Sequence, residues 1–366
     1  MAILTMLKPV VSVFSFYWSA GVAQKKHKLR WNVASAGFLA RLPFLFFPFV
    51  DNVWVIIAGA IIHMFFYRAG NPAWVEILNV NLPKKAREKF FSIGSALGYA
   101  EGVLLAIAFG ALMDYDHQAW KMLFFGSALI GMCGVFMQMR VPIEGEHDTV
   151  GIKREKISFY KLLIEPWKSS HNLMRERPDF AKFQWGFMAC GFGIMLIQPA
   201  LPFFFIDVLH VTYIDLAIAL SICKGLGFVF SSPLWAKAMG KFSISRLSCA
   251  VFVATGLFPL FLILAPFSLF WLYLAYVMYG IAQGGSHLVW NLSGPVFSGK
   301  EDSSLYSGVN IVMVGIRGVV APPLGSLLCL LLGPLVVLGV GIGLCFYGGW
   351  RMIGNKVVKI ILRINS

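Results

Sequence analysis

Eleven apolar stretches recur along this sequence, at roughly 3–22, 31–50, 53–82, 89–113, 119–139, 181–206, 212–236, 245–265, 270–297, 305–331 and 334–350. Each is close to or above the length of about 20 residues that a helix needs to cross a bilayer's hydrocarbon core. A helix satisfies its own backbone hydrogen bonds, so such runs cross lipid as helices. With 58% of the 366 residues hydrophobic and 13% charged, the chain carries more apolar surface than one water-soluble core can hide. The expected fold class is an all-α polytopic membrane protein with about 11 transmembrane helices.

The formal net charge of +14 invites a nucleic-acid reading, but its distribution argues otherwise. Alternate connections, among them "QKKHKLR", "KKAREK", residues 140–182 and the tail from Arg351, hold 25 of the 31 Lys and Arg. The connections between them ("DN", "MDYDHQ", "IDVLHVTYID", "PFS") are acidic or neutral, with Lys121 their lone basic residue. That alternation is the positive-inside pattern, which puts the basic loops and the C-terminus in the cytoplasm. A cell membrane, in particular a bacterial inner membrane, is the expected location. No basic cluster is interleaved with stacking aromatics in a soluble stretch, so nucleic acid is not an expected partner.

Cys133, Cys190, Cys223, Cys249, Cys329 and Cys345 all lie in apolar segments without a C-x-x-C pair, and read as packing residues. The sequence has no P-loop, H-E-x-x-H or G-x-S-x-G motif. No metal or cofactor is expected, and the chain does not read as an enzyme. Residues 9–18 followed by "GVA" resemble a signal peptide, but the basic cluster directly after them resists translocation.

Sliding the sequence along itself by 216 positions aligns Lys8 with Lys224, Lys25 with Lys241, Arg30 with Arg246, Pro43 with Pro259, Trp74 with Trp290 and Lys84 with Lys300. These residue types are scarce in membrane segments, so their agreement argues for a duplicated half. The expected division is an N-terminal bundle over 1–139, a cytoplasmic linker over 140–180 with the amphipathic stretch "ISFYKLLIEPWKSSHNLM", and a C-terminal bundle over 181–366.

Two bundles joined by a long cytoplasmic loop resemble the major facilitator superfamily (MFS), and the resemblance covers nearly the whole chain. That family's loop signature, Gly-x-x-x-Asp-Arg/Lys-x-Gly-Arg-Arg/Lys, is matched by "GVAQKKHKLR" at Gly21, Lys26 and Arg30, with Lys25 in the Asp place and Lys28 in the Gly place. The second-half counterpart "KAMGKFSISR" departs further, which leaves the family's charge latch in doubt. By the repeat, the helix at 181–206 would pair with residues upstream of Met1, so the first family helix is expected to be missing and the bundles to hold five and six helices. An upstream start codon, a shortened gene or a sufficient eleven-helix design would each account for it.

Within the helices, Glu101 sits near mid-bilayer beside Gly94, Gly98 and Gly102, whose four-residue spacing forms a smooth strip suited to close helix approach. Its repeat partner is Arg317. In the resembled family the fifth helix packs on the eighth and the second on the eleventh, which would set Glu101 against the helix of Lys224 and Arg317 against that of Lys8. These four form a candidate coupling group: a structural ion pair, or a breakable pair or proton-binding carboxylate serving transport. The family's Gly-Pro exporter motif is absent, because Tyr99 follows Gly98.

Arg68, Tyr67, Asn71, Gln283 and His287 lie on the counterparts of the family's cavity-lining fourth and tenth helices and are the candidate substrate-binding residues. Arg41 is expected against a neighbouring helix, Trp290 as an interfacial anchor, and "RGVVAPPLG" as a kink or hinge. His63 and His287 have no metal-ligand spacing.

The implied function is secondary active transport of a small solute by alternating access. Lys8, Arg41, Arg68, Lys224 and Arg317 outnumber Glu76 and Glu101 inside the helices, which points to an organic or phosphorylated anion in symport with protons. Aromatic-rich walls leave a neutral or lipophilic solute as the alternative. A polytopic acyl or glycosyl transferase, or a truncated carrier that no longer transports, are the other readings. A monomer is expected, with solute, lipid and protons as partners.

Overall fold

A computed structural model describes residues 26–142, 168, 170–298 and 303–364. The described regular structure is helical: α1 Lys26–Arg41, α2 Val53–Asn81, α3 Lys84–Tyr115, α4 Ala119–Met139, α5 Pro178–Ile197, α6 Tyr213–Lys241, α7 Ile244–Leu264, α8 Leu269–Ser298, α9 Ser303–Leu332 and α10 Pro334–Ile364. Among the described residues, eight helical segments are long and apolar enough to cross a membrane. The apolar block at 3–22, Lys8 within it and residues 143–167 lie outside the described residues.

Helix positions repeat along the chain. Val53 opens α2 and Leu269 opens α8, a difference of 216, and the ends of α3 and α9 at Tyr115 and Leu332 differ by 217. Contacts divide the chain into two compact units, one holding the described residues up to 142 and the other those from 168 onward.

In the N-terminal unit α1 packs on α2 through Leu29, Val33, Ala73 and Ile77. A 3-10 stretch, Leu42–Phe49, prolongs α1, and Asn52 caps α2 by accepting a hydrogen bond from the Trp54 amide at 2.9 Å. α4 lies against α1: the Arg41 side chain runs over Gly131, where a Cβ would strike it, and donates to the Gly37 carbonyl at 2.9 Å. Lys121 and Asp51 form an ion pair at one end of the unit.

The C-terminal unit is more thoroughly packed. α10 lies against α5 and α7, α8 against α6 and α7, and α9 against α5. Two apolar clusters fill it, one around Phe204, Leu262, Leu272 and Tyr276, the other around Phe180, Val251, Val289 and Tyr306. Between α9 and α10 the chain turns at Gly333, whose φ of +83° favours a residue without Cβ, and Pro334 then opens the next helix without needing an amide donor. α5 gives way to a turn at Gln198–Ala200 and resumes as a short helix and a π-helical stretch, Phe204–Val208. A second π-helical stretch, Ile218–Cys223, widens α6 just before Lys224.

Buried polar side chains link three helices near one end of this unit. Gln184 of α5 donates to Asn310 of α9, and Asn310 donates to Ser293 of α8 at 2.8 Å. All three are at most 2% exposed, so their mutual hydrogen bonds fix the register of α5, α8 and α9. Nearby, Arg177 donates to the Tyr306 hydroxyl at 2.9 Å and to the Phe297 carbonyl at 3.1 Å.

The strip of Gly94, Gly98 and Gly102 on α3 is uncovered within its own unit: a Cβ at any of the three would meet open space. The counterpart helix α9 is covered by α5, and no described helix of the N-terminal unit covers the strip on α3 in the same way. Trp290, expected as an interfacial anchor, packs inward near its helix end. Its ring lies 5.8 Å from that of Phe187 and packs against the second apolar cluster.

Candidate functional site

The middle of α9 carries Arg317, 9% exposed and surrounded by apolar neighbours. Its Nη1 donates to the Phe187 carbonyl of α5 at 3.1 Å, and its guanidinium carbon lies 4.9 Å from the centroid of the Phe187 ring. Gly191, one turn further along α5, leaves the space that the guanidinium fills, for a Cβ there would collide with it. Nε is buried without a hydrogen-bond partner. Among the described residues of its unit, Arg317 has no carboxylate within ion-pair distance.

An uncompensated cation among helices is costly, so its location is informative. Arg317 lines a half-open cavity of about 230 Å³ inside the C-terminal unit. α5 supplies Phe187, Cys190 and Gly191 to its wall, and Gln198 stands at the break where that helix gives way. From α7 come Phe252 and Thr255, and from α8 come Tyr279, Gln283, Ser286 and His287. Thr255 has its hydroxyl committed to the Val251 carbonyl at 2.7 Å and offers mainly its methyl. The cavity therefore combines one guanidinium, a few neutral polar groups and three aromatic rings. Such a mixture suits a small ligand that is part apolar and part anionic.

Of the residues marked out from sequence, the structure brings Arg317, Gln283 and His287 to this one cavity. His287 is exposed, with its ring 5.7 Å from Phe228. Lys224 lies one helix away: its Nζ is 5.6 Å from the Tyr279 ring, a cation–π contact that links it to the cavity wall. Tyr67 and Arg68 are exposed on α2 in the other unit. The side chain of Asn71 lies outside what is described, as does Lys8. Glu101 is exposed near the midpoint of α3, at the repeat position that Arg317 occupies in α9. The difference in burial at this shared position follows from α5, which covers α9. His63 is engaged locally, with Nδ1 2.8 Å from the Ala40 carbonyl and its ring stacked on Tyr67 at 5.8 Å. Among the described residues no group of three His, Cys, Asp or Glu side chains could hold a metal ion.

Sequence reasoning passed over the aromatic walls, because Phe187 and Phe252 carry no mark among 33 phenylalanines. It also passed over Gln184 and Asn310, although polar amides inside apolar stretches are a readable signal.

The same fold occurs in solved transporters. The nucleoside transporter NupG matches with a TM-score of 0.66 at 14% identity, covering 96% of this chain and 89% of that one. A point mutant of the same transporter gives 0.68 at 16% identity with the same coverage. A POT family transporter in complex with a thioalcohol-conjugated peptide gives 0.68 at 13% identity, covering 98% of this chain and 88% of that one. No curated protein matches the sequence at a significant level. The sequence model described as Major Facilitator Superfamily matches residues 2–322, which is most of the chain. With a helical multi-pass architecture and a polar-lined cavity among its helices, the chain belongs to the Major Facilitator Superfamily.

Proposed function

We propose that this protein is a secondary carrier that takes up a small organic anion together with protons by alternating access. The observation that carries the reading is Arg317, a buried cation beside a cavity with Gln283 and His287 and without a carboxylate partner among the described residues of its unit. A membrane helix retains such a group at a cost of about 3 kcal/mol, which is expected of an ion pathway and not of packing alone. Arg68, exposed on α2, is a second candidate for the anion, with Tyr67 and Asn71 beside it in sequence. Glu101 is the proposed proton carrier, with Lys224 as its proposed charge partner, and Arg317 is proposed to face the helix that carries Lys8. The proposed organisation is a bundle over 1–139, a cytoplasmic linker over 140–180 and a bundle over 181–366, in a cell membrane.

Reconstitution in proteoliposomes tests the reading. Uptake of an organic anion is expected to saturate, to rise as external pH falls and to lose its pH response in Glu101→Gln. A phosphorylated metabolite would satisfy the anion reading equally well. Transport of cations alone, or none of any solute, would overturn it and leave the remnant or transferase readings. Orientation has its own check: in a cysteine-free background, a cysteine at His147 is expected to react from the cytoplasm and one at Asp116 from outside. Reaction of both from the same side would refute the topology.

A further inference from the structure

We infer that the cavity beside Arg317 is shaped for a monocyclic aromatic monocarboxylate, an inference that rests on the anion-carrier reading and narrows it. Size is the first argument. An apolar cavity of about 150 Å³ holds benzene. The half-open volume here, about 230 Å³, therefore admits one ring and one small polar group.

The walls give the second argument. Phe187 and Phe252 have their ring centroids 6.2 Å apart at an interplanar angle of 48°, and Tyr279 closes the cavity from α8. Phe187 and Phe252 are 5% and 2% exposed, so each shows the cavity only a small part of its ring. Aromatic rings prefer tilted or offset contacts with other rings, and the parts shown here, with Tyr279, favour a planar π-system over a flexible chain. Charge is the third. The guanidinium sits on the ring of Phe187 and is tethered to the same residue's carbonyl, so cation and aromatic surface adjoin each other. A ligand whose carboxylate is bonded directly to its ring presents its two halves with the same adjacency. One guanidinium, with Nη1 already committed to Phe187, matches one carboxylate better than a dianion, and Gln283 adds a neutral polar contact.

Benzoate is the probe, titrated calorimetrically into the purified full-length protein beside benzamide, butyrate and inorganic phosphate. Benzoate is expected to bind at least tenfold more tightly than each of the other three. Trp290, whose ring is 5.8 Å from Phe187, supplies an intrinsic fluorescence signal for the same titration. Ser286→Leu adds bulk to the cavity wall while leaving the bond from Arg317 to Phe187 in place. This variant is expected to weaken benzoate at least tenfold with an unchanged melting midpoint.

Butyrate binding as tightly as benzoate would overturn the aromatic class and leave the anion carrier standing. Benzamide matching benzoate would remove Arg317 as anchor and take the anion reading down with it. Absence of benzoate binding in a protein that still transports a phosphorylated anion would overturn this inference alone.

Discussion

Arg317→Gln is expected to lower uptake at subsaturating solute by about 10- to 100-fold, the loss that follows from deleting one charge-assisted hydrogen bond to an anion. The same change is expected to leave the thermal midpoint unchanged or to raise it. Arg317 has no carboxylate partner among the described residues of its unit and a buried Nε without any hydrogen bond, so its charge is a burden to the folded state. The contact with Phe187 offsets only part of that burden. Arg317→Lys keeps the charge but not the planar donor set, and is expected to fall between wild type and Arg317→Gln in uptake. Saturable uptake measured beside thermal unfolding in detergent separates the two roles. If unfolding is strongly advanced and uptake falls only with the amount of folded protein, Arg317 is a strut between α9 and α5.

The contrast between Arg317 and Glu101 shows what the sequence conveys and where it stops. Length and loop charge mark out each described helix because the hydrocarbon core imposes a minimum span and basic loops resist crossing. The 216-residue offset places Glu101 and Arg317 at matching heights along their own helices, near the midpoints of α3 and α9. Height is all that an offset conveys. Which face of a helix is covered depends on its neighbours, and α5 buries the face of α9 while the glycine strip of α3 stays uncovered in its own unit. Trp290 illustrates the same limit: its position near a helix end suggested an anchor, yet its ring turns toward Phe187.

The candidate site was legible in its polar members and illegible in its walls. Gln283, His287 and Arg317 stand out because polar and charged groups are expensive in apolar segments. Phe187 and Phe252 acquire meaning only when α5, α7 and α8 converge around a void. Lys224 was visible as a charge, but its position over Tyr279 follows a π-helical stretch, Ile218–Cys223, that no residue pattern announces.

Adding one carbon at Gly280 is expected to be among the most damaging single changes in the C-terminal unit. α6 and α8 cross with backbone against backbone. A Cβ at Gly280 would fall on the Lys224 carbonyl and lie 2.8 Å from the Phe228 nitrogen, and one at Gly227 would fall on the Val277 carbonyl. Neither obstacle is a flexible side chain, so Gly280→Ala must push the helices apart. Overpacking of a close contact costs typically about 1–3 kcal/mol, and a rigid backbone on the far side puts this case near the top, about 3 kcal/mol. Gly225→Ala is the control, because a Cβ there meets nothing within 4 Å and alanine suits a helix better than glycine. Thermal unfolding is expected to show a clear drop for Gly280→Ala and none for Gly225→Ala. Equal midpoints for both would mean that α6 and α8 do not approach so closely. The damage is expected to reach the site as well. Gly280 adjoins Tyr279, which lines the cavity, and Lys224, which lies over that ring. Separating the helices would therefore widen the cavity wall, and the protein that remains folded should bind its solute more weakly in proportion.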